Sequence, residues 1–139
     1  MIEVLYRVGK PEDINFILST WLKSFRKTHD NKRMHNDVYY PNQTKLIERT
    51  LQQAKTLIIA NKLDPSHIYG YIVYEGTPSA LILHYAYIKR TYRRFNLFNN
   101  ALESILSGDN EIIIGTHAND MFDLLAPKYG LIYNMYMKG

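Results

Sequence analysis

The chain contains no cysteine. That excludes disulfide bridges, thiolate metal centres and cysteine nucleophiles, and it accords with a reducing cytoplasm, the expected location. No apolar stretch is long enough to span a bilayer. The longest, 80–88, is interrupted by His84 and falls well short of the roughly 20 residues a spanning helix needs. The first ten residues alternate polar and apolar, so no signal segment is expected. Neither sign of charge is in great excess: 17 Lys and Arg stand against 13 Asp and Glu, a formal net charge of +4. Such a balance permits an anionic ligand such as a nucleotide or phosphate without demanding nucleic acid. No stripe of arginines with stacking aromatics is present either. Also missing are a Ser/His/Asp order, a phosphate-cradling Walker loop and a dinucleotide fingerprint. His29, Asp30, His35 and Asp37 share one polar stretch but lack regular ligand spacing, so no metal is expected. There is no repeat, linker or low-complexity tract, and 139 residues make a single domain, 1–139, able to bury its own core.

What is present is a run of short, well-punctuated elements. Residues 2–8 alternate as a half-buried strand. Pro11-Glu12-Asp13 then opens a helix whose apolar face is Ile14, Ile17, Leu18, Trp21, Leu22 and Phe25. Residues 26–42 are polar and basic and predict a loop. A second helix is expected over 43–54, with Leu46, Ile47, Thr50 and Leu51 inward. Strands over 56–62, 68–75 and 80–89 are joined by turn chemistry and predict an antiparallel meander. Residues 97–107 predict a helix stopped by Ser107-Gly108-Asp109, 111–115 a buried strand, 119–129 a helix ended near Gly130, and 131–137 a last strand. The order is β-α-α-β-β-β-α-β-α-β. The fourth and fifth strands, joined through a helix, should be parallel with a right-handed crossover in an otherwise antiparallel, hence mixed, sheet.

Three stretches carry a resemblance. One is the passage from Arg7 to Ile14, strand to helix through Pro-Glu-Asp. Another is Ile68-Tyr69-Gly70-Tyr71-Ile72-Val73-Tyr74. The third is Tyr87-Ile88-Lys89-Arg90-Thr91-Tyr92-Arg93-Arg94-Phe95-Asn96-Leu97-Phe98, running from a strand through a basic loop into a helix. Together with the element order, these resemble the Gcn5-related N-acetyltransferase (GNAT) superfamily over nearly the whole chain. The third stretch is similar to that family's Arg/Gln-x-x-Gly-x-Gly/Ala loop, with Arg93 at its first position, Asn96 at the first glycine and Phe98 at the second. Trp21, Ser24-Phe25-Arg26, His84 and Tyr133-Asn134 also look like small acetyltransferase-like proteins of bacteriophages.

The resemblance implies an α/β fold with a mixed central sheet of six to seven strands and four flanking helices. It implies acetyl-coenzyme A as co-substrate and a primary amine, on a small molecule or a protein, as acceptor. A helix N-terminus carries unpaired N–H groups and partial positive charge suited to a pyrophosphate. Arg93 and the amides of Arg94, Phe95, Asn96, Leu97 and Phe98 would hold it there. Tyr87, Ile88 and Lys89 would pair with the pantetheine arm as a neighbouring strand would, and Asn119 matches an asparagine early in the family's fourth helix. His84 is the expected base, since histidine exchanges protons near neutral pH, while a hydrogen-bonded core histidine is the competing reading. Glu75 is the alternative base. The family's acid is a tyrosine four residues before a Gly-aromatic pair; Gly130-Leu131 puts Ala126 there, leaving Tyr129 or Tyr133 to serve. The substituted loop leaves a second class of function open: a catalytically inactive binding or structural domain with a protein partner, phage-encoded or virion-associated, acting in a host cytoplasm or virion. No membrane or nucleic-acid partner is expected, and tyrosine-rich strand ends leave homo-oligomers open.

Overall fold

The computed structural model describes residues 2–28, 31–106 and 112–138, without the side chain of Arg94. The strands are β1 (Val4–Val8), β2 (Lys55–Asn61), β3 (Ile68–Gly76), β4 (Ala80–Ile88), β5 (Ile112–Gly115) and β6 (Ile132–Tyr133). The helices are α1 (Ile14–Arg26), α2 (Asn36–Gln53), α3 (Leu97–Ile105) and α4 (Asp120–Tyr129). The six strands lie in sequence order in one sheet. The first four are antiparallel, and β4–β5 and β5–β6 are parallel. The expected element order and mixed sheet are therefore present.

Each face of the sheet has its own core. Trp21, Phe25, Tyr39 and Ile47 of α1 and α2 pack on Ile58, Tyr71, Val73 and Tyr85. Leu97, Phe98, Leu102 and Leu125 of α3 and α4 pack on Ile59, Ile72, Leu83 and Ile88. The entry to α1 is pinned to β1: Asp13 accepts from the Lys10 N–H at 2.7 Å and from both terminal nitrogens of Arg7 at 2.7 and 2.9 Å. The Arg7 guanidinium holds the Asp13 carboxyl below the usual carboxylate range. Gly70 is required by close approach, because a methyl there would overlap the Tyr87 carbonyl oxygen of β4. Gly130, in the left-handed region at φ 64°, closes α4 by donating to the Ala126 carbonyl at 2.8 Å.

Two expectations are corrected. The predicted loop over 26–42 is helical from Asn36 onward, so α2 is 18 residues long and contains Pro41. His35 caps it by accepting from the Asp37 N–H at 3.1 Å, and Tyr39, Gln43, Ile47 and Thr50 form its buried stripe. Pro41 sits early enough to remove one helical bond rather than break the helix. The predicted strand over 131–137 is only Ile132–Tyr133. Asn134 then accepts from the Tyr136 N–H at 3.0 Å and turns the chain into a 3-10 turn over Met135–Met137. His29, Asp30, the Ser107-Gly108-Asp109 stop and Glu111 lie outside the described residues.

Candidate active site at the parting of two strands

The register between β3 and β4 changes at one residue. Val73 opposes Tyr85, but Tyr74 opposes Leu83, so His84 is the extra residue of a β-bulge. The bulge reverses the phase of β4. Leu81 and Leu83 face the α3–α4 core before it, Ala86 and Ile88 after it. It also marks where β4 and β5 separate. They pair only from Ala80–Ile112 to Leu83–Gly115, and the last bond runs from the Thr116 N–H to the Leu83 carbonyl at 3.1 Å. At the end of β5, Gly115 has no side chain, and any Cβ there would overlap the Phe122 ring of α4.

Beyond this root β4 stays paired with β3 but has no described strand on its β5 side. The Lys89 N–H bonds to Tyr69 of the β3 side at 2.8 Å, so ladder alternation turns the backbone of Ala86 and Ile88 toward the gap. Side chains of the protein cover both carbonyls. Asn119 Nδ2 donates to Ala86 at 3.0 Å, and Arg93 Nε donates to Ile88 at 3.2 Å. Asn119 also caps α4, accepting from the Phe122 N–H at 2.9 Å.

A line of buried polar groups crosses the root. Glu75 Oε2 lies 2.8 Å from His84 Nε2, and His84 Nδ1 lies 3.2 Å from Thr116 Oγ1. Thr116 Oγ1 is 2.9 Å from His117 Nδ1, and His117 Nε2 is 3.2 Å from Gln43 Nε2. His84, Thr116 and His117 are at most 3% exposed, whereas the Glu75 side chain is 31% exposed and opens the line to solvent. Trp21, Phe25 and Tyr85 enclose His117 at ring distances of 5.1, 4.8 and 5.9 Å. Burial pushes the His117 ring well below the ordinary histidine value, and the charge of Lys138 pushes the same way. Thr116, His117 and Gln43 were not singled out from the sequence. The available signal was a polar Thr-His pair directly after an apolar strand, at the carboxyl end where parallel sheets tend to hold ligands.

The mouth of the gap is built from the loop after β4. A 3-10 turn, Arg90–Phe95, leads to Asn96 at φ 58°, ψ 23°, and α3 starts at the next residue. Asparagine tolerates this left-handed backbone better than most residues that carry a Cβ. Phe98 is only 5% exposed and turns into the α3–α4 core, so its ring does not stand over the start of the helix. Arg93 reaches across the mouth to Asp120 at the start of α4, with Nη1 to Oδ2 at 2.7 Å. Phe95 sits on the rim, its ring 6.3 Å from that of Tyr92.

Other predicted residues are dispersed. The Tyr87 ring stacks on Tyr71 at 5.5 Å, and Lys89 Nζ lies 5.5 Å over the Phe16 ring of α1, away from Arg93. Ile88 and Leu97 are buried in the α3–α4 core. The Tyr129 hydroxyl donates to Glu103 of α3 at 3.2 Å, on the face opposite His117, so it is not brought together with His84. Trp21, Phe25 and Tyr39 are buried in the core. Two clefts, of about 360 and 610 Å³, open beside the amino end of α1 and do not reach the parted strands. We place the site at the parted strands because the turned backbone groups, the left-handed helix start and the titratable line converge there. Among the described residues no His, Cys, Asp and Glu cluster suits a metal ion, and no helix is long and apolar enough to cross a membrane.

No family model matches the chain, and no curated protein matches its sequence. Solved structures do match. A possible acetyltransferase from Clostridium difficile aligns over 92% of this chain and 88% of its own, with a TM-score of 0.59 and 18% identity. A possible acetyl transferase from Pyrococcus furiosus aligns over 95% of this chain and 82% of its own, with a TM-score of 0.57 and 14% identity. The GNAT family N-acetyltransferase YhbS from Escherichia coli, in complex with CoA, aligns over 75% of this chain but only 54% of its own, with a TM-score of 0.52 and 14% identity. The chain has the GNAT fold. At these identities the likeness establishes architecture and leaves activity to be argued from the site.

Proposed function

We propose that the protein is an acetyl-coenzyme-A-dependent N-acyltransferase that acts on a primary amine. The observation that carries this reading is the parting of β4 from β5 at the His84 bulge, which turns the Ala86 and Ile88 carbonyls into the gap. The amides of a pantetheine arm need such strand-like partners. Of the expected Tyr87, Ile88 and Lys89, only Ile88 presents its backbone to the gap, and Ala86 joins it. The amides from Asn96 to Phe98, at the start of α3, and the Arg93 guanidinium would receive the pyrophosphate. CoA bound to YhbS supports this co-substrate by analogy of fold. His84 would serve as the base at the root. No acceptor is specified beyond an amine of a small molecule or protein.

Calorimetry with acetyl-coenzyme A tests the reading, with thermal shift beside it. Ligand at 100 times its dissociation constant should stabilise the fold by about 2.7 kcal/mol. Absence of any shift at millimolar ligand would refute it. The second reading, an inactive GNAT-fold binding domain, would then be preferred. It is favoured by the Arg93–Asp120 pair, which occupies a cation expected to meet phosphate, and by the tie of Tyr129 to Glu103.

A further inference from the structure

With Glu75 ionised and Gln43 Nε2 donating, the line of polar groups across the root has two complete hydrogen-bond patterns, and they differ by one proton. Ionised Glu75 can only accept, so His84 Nε2 carries a hydrogen toward it at 2.8 Å. In a neutral His84 ring, Nδ1 is then a bare lone pair, and Thr116 Oγ1 at 3.2 Å must donate to it. The Thr116 hydrogen is thereby used, so His117 Nδ1 must donate to the same oxygen at 2.9 Å. His117 Nε2 in turn accepts from Gln43 Nε2 at 3.2 Å. Every bond runs in one direction, from Gln43 to Glu75.

Adding a proton to His84 gives Nδ1 a hydrogen, and Thr116 must then accept from it. The Thr116 hydrogen needs another acceptor, and the His84 carbonyl oxygen lies 3.3 Å from the same Oγ1. Rotation of one hydroxyl completes the second pattern. Thr116 accepts from both histidines and donates to the carbonyl, while the Glu75 carboxylate balances the new charge. A buried group left unpaired costs about 1–3 kcal/mol, and neither pattern leaves a side-chain group of the line unpaired.

We propose that Thr116 and Glu75 are positioning residues that make buried His84 a reversible proton acceptor: the Thr116 hydroxyl swings between His84 Nδ1 and the His84 carbonyl, and Glu75 fixes the tautomer and balances the added charge. The proposal deepens the acyl-transfer reading and rests on it for its catalytic role. An amine arriving as ammonium must lose one proton before its nitrogen attacks. That proton goes to Thr116 Oγ1 as the Thr116 hydrogen passes to His84 Nδ1, the Glu75 carboxylate balances the His84 cation, and after the product leaves, Nδ1 returns its proton through Thr116 to water and the Nε2–H tautomer is restored. The N–C bond then forms, the C–S bond breaks, and the second nitrogen proton ends on the departing thiolate.

The titratable groups around His84 are Glu75 from β3, His117 from the link after β5, Tyr85 on its own strand and, beyond His117, Lys138. The nearest α1 and α2 side chains in this cluster, Trp21, Phe25 and Gln43, do not titrate. Burial pushes the Tyr85 hydroxyl up to about 12, so it stays neutral, as does His117.

Long-range proton–nitrogen NMR of the histidine rings tests this on the full chain without ligand. His84 should carry its hydrogen on Nε2 and His117 on Nδ1, and His117 should stay singly protonated as the pH falls well below the ordinary histidine value. Thr116→Ser should keep both signatures. Thr116→Val should lose the His117 Nδ1 preference. In Glu75→Gln, doubly protonated His84 should appear only at lower pH than in the parent. A His84 hydrogen on Nδ1, His117 doubly protonated at the ordinary histidine value, or unchanged spectra in both Thr116→Val and Glu75→Gln would each overturn the proposal. Once an acceptor amine is in hand, Thr116→Val should lower kcat about 100-fold at unchanged KM for acetyl-coenzyme A, with Thr116→Ser restoring it. Expected tautomers in a protein that binds no acetyl-coenzyme A would refute the acyl-transfer reading and the catalytic role, but not the proton switch.

Discussion

The root and the mouth of the gap are built on different terms. At the root, Glu75, His84, Thr116, His117 and Gln43 satisfy one another, and three of the five are buried almost completely. At the mouth, groups suited to a ligand are satisfied by the wrong partners. Arg93 is tied to Asp120 and to the Ile88 carbonyl, and Asn119 covers Ala86. A root of this kind is preorganised and needs only the rotation of one hydroxyl as it acts. The mouth must exchange partners first, so a ligand would gain only the difference between its own bonds and those it displaces. The root should therefore govern rate, and the mouth affinity.

Removing the base should strain that division most. His84→Ala is expected to lower kcat/KM by about 100- to 10,000-fold, while acetyl-coenzyme A affinity stays within about twofold. Steady-state kinetics and calorimetry on the same preparation measure both. An equal loss in the two quantities would mean that root and mouth are not separable.

Next in size is a change at the mouth that acts through the core. Phe98 occupies the second glycine position of the similar loop, yet its ring is buried among α3–α4 side chains. Phe98→Ala should cost about 3–5 kcal/mol of stability, read by urea unfolding. Phe98→Gly, although it restores the family residue, should not tighten acetyl-coenzyme A, because no ring obstructs the loop.

A third effect comes from the root through pH. The unfolded chain takes up a proton on His117 near pH 6.5 that the buried ring refuses. The folded pKa is depressed, so the unfolded state binds more protons below that point. Stability should then fall as the pH drops, by at most about 1.4 kcal/mol per pH unit. Asp13 adds a separate loss at more acid pH: its carboxylate, held low by Arg7, contributes stability above the unfolded carboxylate value that disappears as the pH falls through the folded one. Urea midpoints at pH 7.5 and 5.5 should differ in the wild type and differ less in His117→Gln. Equal differences in the two proteins would remove His117 from the account.

Periodicity carried most of the fold. The β2–β4 meander, α3 and α4 follow from alternation, helical spacing and turn residues, and they lie within a residue or two of where those rules put them. The start of α2 was hidden because Asn36, Asp37, Asn42 and Pro41 favour turns, while the tertiary contacts of Tyr39 and Gln43 decided for helix. The end of the chain misled in the opposite sense, its aromatic alternation overridden by the Asn134 cap. At the site, His84 stood out as one polar residue in an apolar run. Its partners did not, since Thr116 is 32 residues away and Gln43 is 74 residues from His117. A relay assembled across β3, β4, β5 and α2 has no spacing that a one-dimensional reading can detect.

The smallest effects belong to the ion pair at the mouth, and they are the most discriminating. If Arg93 meets the pyrophosphate, Arg93→Ala should weaken acetyl-coenzyme A about tenfold, near the upper end for a partly exposed charge contact. Asp120 competes for the same guanidinium at 2.7 Å. Asp120→Asn keeps the size of the side chain and removes its charge, so it should tighten acetyl-coenzyme A about threefold in low salt and by less in high salt. It should not change affinity for pantetheine, which lacks phosphate. Were Asp120 only a favourable first-turn acid for α4, its loss would lower stability slightly and leave binding untouched. The double variant separates these cases, because a competitor has nothing to compete for once Arg93 is gone, and the threefold gain should vanish in the Arg93→Ala background.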